Sequence, residues 1–416
     1  MACVDRRRAR VLMPHHNPEE LLYGRYGGAH YRPVKYSAVL GLCILLAACA
    51  HTPVEQPPAQ LFSDHLFAAP SERISADDVF ALSDAMKHYL ETEMAGRLLN
   101  KGLQKGLIDA LYSENQLRLD YDAAMTRNAS QAFAARSGNC LSLVIMTAAF
   151  AKALGLSVEY QGAYIEPTWS RVGGMYFLSG HVNLTLGGRM IGARSIYDTS
   201  DLLTVDFLPP EQLRALRTWV IPEATIVAMY MNNRAAELLV RGRMDDAYWW
   251  ARTAIGQDPA FLSAYNTLGV VYLRHGDWPQ AERVFGHILE REPKNTQALS
   301  NLALALQRLR RMAELHVVQR KLAEIEPYPA FHFFDRGLAA MQLGDFKTAR
   351  DMFAKEIDRD PYYHEFHFWL GVANLGLGNL GEARKEVSLA MENSNTREDR
   401  DLYAGKLERI RSHSDQ

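Results

Sequence analysis

Four prolines set the frame. Pro259, Pro293, Pro327 and Pro361 recur at intervals of 34 residues. A fixed period of this length belongs to a chain of repeated supersecondary units, each too small to bury its apolar face alone. The second unit is the clearest, with Tyr265, Leu268, Gly269, Tyr272, Gly276, Ala281, Phe285 and Pro293. Its small residues let two helices of a hairpin approach closely, and its large ones fill the groove between hairpins. The fourth unit repeats the pattern through Gly337, Gly344, Ala349, Phe353 and Pro361. The fifth does so through Leu370, Gly371, Gly378, Ala383 and Ala390, with Asn395 in place of its proline. The first unit (Ala235, Gly242, Ala247, Ala254, Pro259) is looser. The third is the weakest, because Arg310 and Leu315 stand where small residues are usual. The spacing predicts five helical hairpins over 226–395. A closing helix and tail follow over 396–416, covering the last apolar face.

This pattern resembles the tetratricopeptide repeat. The resemblance implies an all-α solenoid whose groove takes a protein or peptide partner. Trp249-Trp250 and the run Phe366-His367-Phe368-Trp369 either line that groove or fill the core. His364-Glu365-Phe366-His367 lacks the spacing of a zinc helix and reads as repeat packing. No metal and no cofactor are expected. A net charge of −2 gives no electrostatic reason to expect a nucleic acid.

The N-terminus carries an address. Lys35 precedes the apolar run Ala38–Ala48, which ends at Cys49. A run this short suits a signal-peptide core and is too short to anchor across a bilayer. Leu46-Ala47-Ala48-Cys49 resembles the lipobox of bacterial lipoproteins. That resemblance implies lipidation of Cys49, a membrane contact through the lipid anchor, and residues 1–49 as leader and signal peptide. An ordinary secretory signal is the alternative. Ala50 follows the cysteine where an aspartate would mark inner-membrane retention, so the resemblance points to the outer membrane, facing the periplasm. Residues 1–34 show no apolar periodicity, and the reading puts the start of translation downstream, near Val34. The proline-containing stretch 50–74 reads as a tether.

Of the four cysteines, Cys3 and Cys43 leave with the leader and Cys49 is consumed by lipid. Cys140 remains, with no partner for an intramolecular disulfide in an oxidising compartment. It follows Ser137-Gly138-Asn139 and opens an apolar stretch to Leu154, capped by Gly155. Helices are expected before it, from a Ser75 cap, over about 92–112 and over 128–136. Strands are expected after it at Ser157–Tyr164, His181–Leu186, Met190–Tyr197 and Leu202–Leu208, with Gly187-Gly188 as a hairpin turn. A thiol attacks a carbonyl as the thiolate, so it needs a base. A helix N-terminus favours negative charge and offers unpaired N–H groups to an oxyanion. His181 stands where a strand begins, and Asp206 lies on a later apolar strand. A buried carboxylate there needs a polar partner.

Cysteine on a helix after Arg136-Ser137-Gly138-Asn139, then histidine in Ser179-Gly180-His181-Val182-Asn183, then aspartate in Thr204-Val205-Asp206, resembles the transglutaminase-like superfamily. The resemblance spans about 75–215. It implies an α+β papain/transglutaminase-like domain, placed before the all-α solenoid. It also implies acyl transfer on peptide or protein amides: protease, amidase or transglutaminase chemistry. Cys140 is then the nucleophile, His181 the base and Asp206 its orienter, with Asp198 as an alternative orienter. Gln104 and Asn139 are candidates for a second oxyanion donor. The competing reading is an inactive lipoprotein scaffold that binds partners through both parts.

Overall fold

The stretch that opens at Cys140 forms a helix that is buried on every side, and the surrounding elements are arranged to cover it. The computed structural model describes residues 10–12, 56–112, 119–123, 125–172, 175–189, 202–207 and 217–414. Asp198 and Cys49 lie outside them, as do the strand expected at Met190–Tyr197 and the apolar run 38–48. Among the described residues, no helix is long and apolar enough to cross a membrane.

In chain order the elements are β1 (Arg10–Leu12), α1 (Asp84–Thr92), α2 (Ala95–Lys101), α3 (Leu103–Tyr112), β2 (Asp120–Tyr121), α4 (Ala129–Ala135), β3 (Ser137–Gly138), α5 (Cys140–Ala153), β4 (Leu156–Val172), β5 (Met175–Arg189), β6 (Leu203–Asp206) and β7 (Arg217–Ile221). The helix expected from Ser75 starts later, where the Ser83 side chain accepts from the Met86 N–H. The helix expected over 92–112 is split, because Gly102 takes a left-handed φ of 78°.

The sheet is antiparallel, in the order β1-β6-β5-β4-β7. β5 continues through Gly187-Gly188 with a register shift, so the expected turn is absent there: Leu156 pairs with Arg189 and Val158 with Leu186. A glycine pair signals a turn only when the chain has no long partner strand, and β4 supplies one. β7 was not foreseen. It pairs with β4 from Tyr160↔Ile221 to Tyr164↔Arg217.

Ten helices then form five hairpins: α6 (Glu223–Val240) with α7 (Met244–Gln257), α8 (Leu262–His275) with α9 (Trp278–Arg291), α10 (Thr296–Arg308) with α11 (Met312–Ile325), α12 (His332–Gln342) with α13 (Phe346–Arg359), and α14 (His364–Gly376) with α15 (Leu380–Asn393). The closing helix is α16 (Arg397–Ser414). The turn inside each hairpin needs one left-handed residue. Gly242, Gly276, Gly344 and Gly378 supply it in four repeats and Arg310 in the third, with φ of 74°, 99°, 74°, 76° and 58°. The small residues serve as expected: a methyl on Gly337 would stand 2.5 Å from the Phe353 ring.

The third repeat departs in one more way. Gln319 occupies the place of Phe285 and Phe353, and it is exposed. α11 buries only Leu315, whereas α9 buries Gln280, Ala281, Val284, Phe285 and Ile288. The apolar core divides at this point. One core joins the α5 region to the repeats as far as Ala305, and a separate core begins at Phe331.

Residues 59–72 fall in the stretch read as a tether, yet they lie along the first two repeats. Leu61 and Phe67 are buried, and Phe67 stacks on Tyr248 at 4.0 Å. The repeats also read the backbone of this strap. Tyr248 Oη accepts from the Ser63 N–H, Asp245 from Ala68 and Asp246 from Ser71. Tyr272 Oη donates to the Leu61 carbonyl, Gln280 to Gln60, and the Trp249 indole to Ala68. Trp250 donates to Glu72. Trp249 and Trp250 therefore hold the protein's own N-terminal segment.

Arg310→Gly should stabilise the fold. Relief of the left-handed side-chain penalty, about 1–2 kcal/mol, exceeds the extra unfolded-state entropy of glycine, about 0.5–1 kcal/mol. Urea unfolding should show a higher midpoint, with a net gain up to about 1 kcal/mol. An unchanged or lower midpoint would contradict the turn requirement.

Candidate functional site

The approach to Cys140 is fixed by short-range bonds. β2 and β3 pair in parallel, Asp120 with Ser137 and Tyr121 with Gly138. A methyl on Gly138 would stand 2.6 Å from Ser142 Cβ, so only glycine fits this close pass. Asn139 is the N-cap of α5: its Oδ1 accepts from the Ser142 N–H at 2.9 Å and from Ser142 Oγ at 2.8 Å. Its Nδ2 donates to Thr126 Oγ1 at 3.0 Å. Thr126 is held in turn by the first repeat, through Asn233 Nδ2 at 3.2 Å and Glu237 Oε1 at 2.6 Å. The arm thus braces the cap that positions the cysteine.

Cys140 is the first residue of α5, half-buried and free. Its N–H is one of the helix-start donors that have no intrahelical partner.

His181 comes from β5. Strand alternation puts His181, Asn183 and Thr185 on one face. Thr185 stands opposite Thr204 on β6, and Leu184 opposite Val205. The next step along β6 brings Asp206 beside Asn183 and within reach of His181. His181 Nε2 is 2.8 Å from Asp206 Oδ1. Asn183 Nδ2 donates to Asp206 Oδ2 at 2.7 Å. All three side chains are buried. A buried carboxylate needs both oxygens satisfied, and these two donors satisfy them.

An ionised Asp206 accepts, so His181 Nε2 carries a proton and Nδ1 is left for Cys140, which hydrogen-bonds the ring. Burial alone would lower the His181 pKa. The bonds from Asp206 and Cys140, with the charges on both, outweigh it and raise the value to about 9.

The structure therefore brings together Cys140, His181 and Asp206, which are 41 and 25 residues apart in the chain. The two candidate oxyanion donors are used elsewhere: Asn139 caps α5, and Gln104 Nε2 donates to the Leu186 carbonyl at 3.0 Å. Asn183 was missed as a site residue. Its signal was present, because it stands two residues after His181 on a strand and must share its face. In the fifth repeat, His367 bonds Glu386 at 2.7 Å and the Pro361 carbonyl at 2.9 Å, while His364 bonds Tyr403 at 2.8 Å. These histidines serve packing within the repeat and against α16.

The family model described as Tetratricopeptide repeat matches residues 266–314 and 334–396. Among solved structures, a thermophilic tetratricopeptide-repeat protein of Thermus thermophilus is 21% identical, with a TM-score of 0.29, over 43% of this chain and 98% of its own. YrrB, described as a tetratricopeptide-repeat protein with an unusual peptide-binding site, is 20% identical, with a TM-score of 0.24, over 43% of this chain and 92% of its own. MamA of Desulfovibrio magneticus is 19% identical, with a TM-score of 0.24, over 41% and 96%. No curated protein sequence matches the chain. The arm is a tetratricopeptide-repeat solenoid, joined to a helical region with a small antiparallel sheet.

The raised His181 value has a consequence for stability. A histidine raised above its unfolded value of about 6.5 stabilises the fold fully below that pH, and the contribution is lost as pH rises through about 9. The unfolding free energy from urea titrations should fall between pH 6.5 and 9.5, by at most about 3 kcal/mol. Asp206→Asn should abolish most of this pH dependence. A variant with the wild-type slope would mean that His181 is not held by Asp206.

Proposed function

We propose that the protein is a cysteine acyl-transfer enzyme of transglutaminase-like type, acting on peptide or protein amides. The observation that carries the reading is the convergence of Cys140, His181 and Asp206 from a helix start and two separate strands. The nucleophile is Cys140 Sγ, paired with His181. Sγ attacks the amide carbonyl carbon, and the helix-start N–H of Cys140 faces the charge that develops on oxygen. As the C–N bond breaks, His181 Nδ1 gives its proton to the leaving amine. Water or a second amine then attacks the thioester, and the proton it sheds returns to His181. Asp206 keeps the ring in the required tautomer, and Asn183 keeps Asp206 in place.

The lipobox-like run supports attachment through lipidated Cys49 at the outer membrane, facing the periplasm. The tetratricopeptide repeats support a protein or peptide partner.

A thiol of ordinary pKa, near 8.5, is only about 3% ionised at pH 7. Pairing with His181 therefore raises iodoacetamide labelling of Cys140 at pH 7 by up to about 30-fold. His181→Ala should remove that gain in a protein that still folds. Equal labelling of both would leave the scaffold reading, in which the same two parts only bind. Separately, Cys49→Ala should move the protein from the membrane pellet to the soluble fraction, and an unchanged distribution would remove the lipid anchor from the proposal.

A further inference from the structure

The outer half of the β4–β5 hairpin does a job that the sheet does not require. In its inner half β6 pairs with β5 over Leu184–Leu186, and β7 pairs with β4 over Tyr160–Tyr164. Beyond a register shift, Thr168↔Ser179 to Val172↔Met175 pair only with each other among the described residues. This outer half reaches the fourth and fifth repeats. Trp169 packs on their separate apolar core. Arg171 Nη2 lies 3.2 Å from Glu365 Oε1, and Nη1 lies 3.5 Å from Asp335 Oδ1. The guanidinium carbon stands 5.0 Å from the Phe334 ring centroid and 5.8 Å from that of Phe331.

The receiving surface is built independently of the hairpin. Phe331 and Phe334 are fully buried and pack on Phe366. Tyr363 Oη donates to Glu365 Oε2 at 3.2 Å, which aims the other carboxylate oxygen at the guanidinium. Two carboxylates and two ring faces around one planar cation suit arginine. A lysine is a point charge and makes neither the forked nor the stacked contact. Trp169 and Arg171 are two residues apart on a strand, so both point to one side.

We infer that the fourth and fifth repeats carry a binding site for an extended segment with an aromatic residue two positions before an arginine, filled in this structure by Trp169 and Arg171 of the same chain. A partner peptide bearing aromatic-x-Arg takes this site by displacing the outer hairpin, and His181 lies on the strand that the hairpin continues. The charge complementarity of Asp335 and Glu365, and the chemistry of the cis occupant, define the partner. This inference is independent of the catalytic reading.

The probe is a fluorescein-labelled synthetic peptide with the sequence of residues 166–175, titrated into the full-length chain and read by anisotropy. The cis segment competes at an effective concentration in the millimolar range, so the wild type should bind the peptide weakly. Arg171→Ala should bind it at least about tenfold more tightly. The same peptide with arginine replaced by lysine should lose most of that gain, and Asp335→Asn with Glu365→Gln added to Arg171→Ala should abolish it. If Arg171→Ala fails to fold by circular dichroism, Arg171→Lys retains the charge without the fork and should show a smaller gain of the same sign. A folded variant that binds no better than wild type overturns the site. So does equal binding of peptides carrying arginine and glutamate.

Discussion

A helix that is apolar all round must be covered all round, and most of the molecule follows from that. In α5 every residue from Leu141 to Ala151 is buried. The sheet, the N-terminal helices and the first repeat share one core with it. At its start only Cys140 is left half-buried, and at its far end Lys152 and Ala153 are exposed. The burial that fixes the helix also fixes where its N-terminal donors point. The cap through Asn139, Thr126, Asn233 and Glu237 then ties that turn to the arm.

Much of this was legible in the sequence, for physical reasons that differ by element. The repeats were legible because their constraint is local and periodic: a left-handed turn, a small residue against a ring, and a proline after each of the first four hairpins. Even the weak third repeat showed itself, since Arg310 and Leu315 break the pattern where the core divides. α5 was legible because a run without a polar face admits few placements. The sheet was less so. Gly187-Gly188 signals a turn locally, but a long partner strand overrides the signal, and β7 is specified by its pairing with β4 rather than by its own residues. The helix expected from Ser75 starts at Asp84, where Ser83 supplies the cap that a reading from Ser75 overlooked. Asn183 was legible by strand alternation, but its role appears only when β6 is set beside β5. The strap was not legible, because its stabilisation lies in residues some 180 positions away.

The arm divides into two working surfaces, both met by the chain itself. The first two repeats take residues 59–72, through hydrogen bonds to their backbone and through the buried side chains of Leu61 and Phe67. The fourth and fifth take the outer hairpin, through side chains that suit one kind of residue. The first contact is built into the same core as α5. The second bridges two cores across the thinly packed third repeat. Both contacts tie the solenoid to the region that precedes it in the chain.

The strap also bears on the order in which the molecule can form. The Leu61 carbonyl and Tyr272 are separated by 211 positions, and Gln60 and Gln280 by 220. The strap leaves the ribosome long before its seat exists. Contacts of such separation slow folding, because the closure entropy is lost before the contact is gained. The early chain therefore stays without its lining until the second repeat is made, and the cap on α5 waits for Asn233 and Glu237. A protein wired in this way completes the surroundings of Cys140 only after more than half of its length has been synthesised.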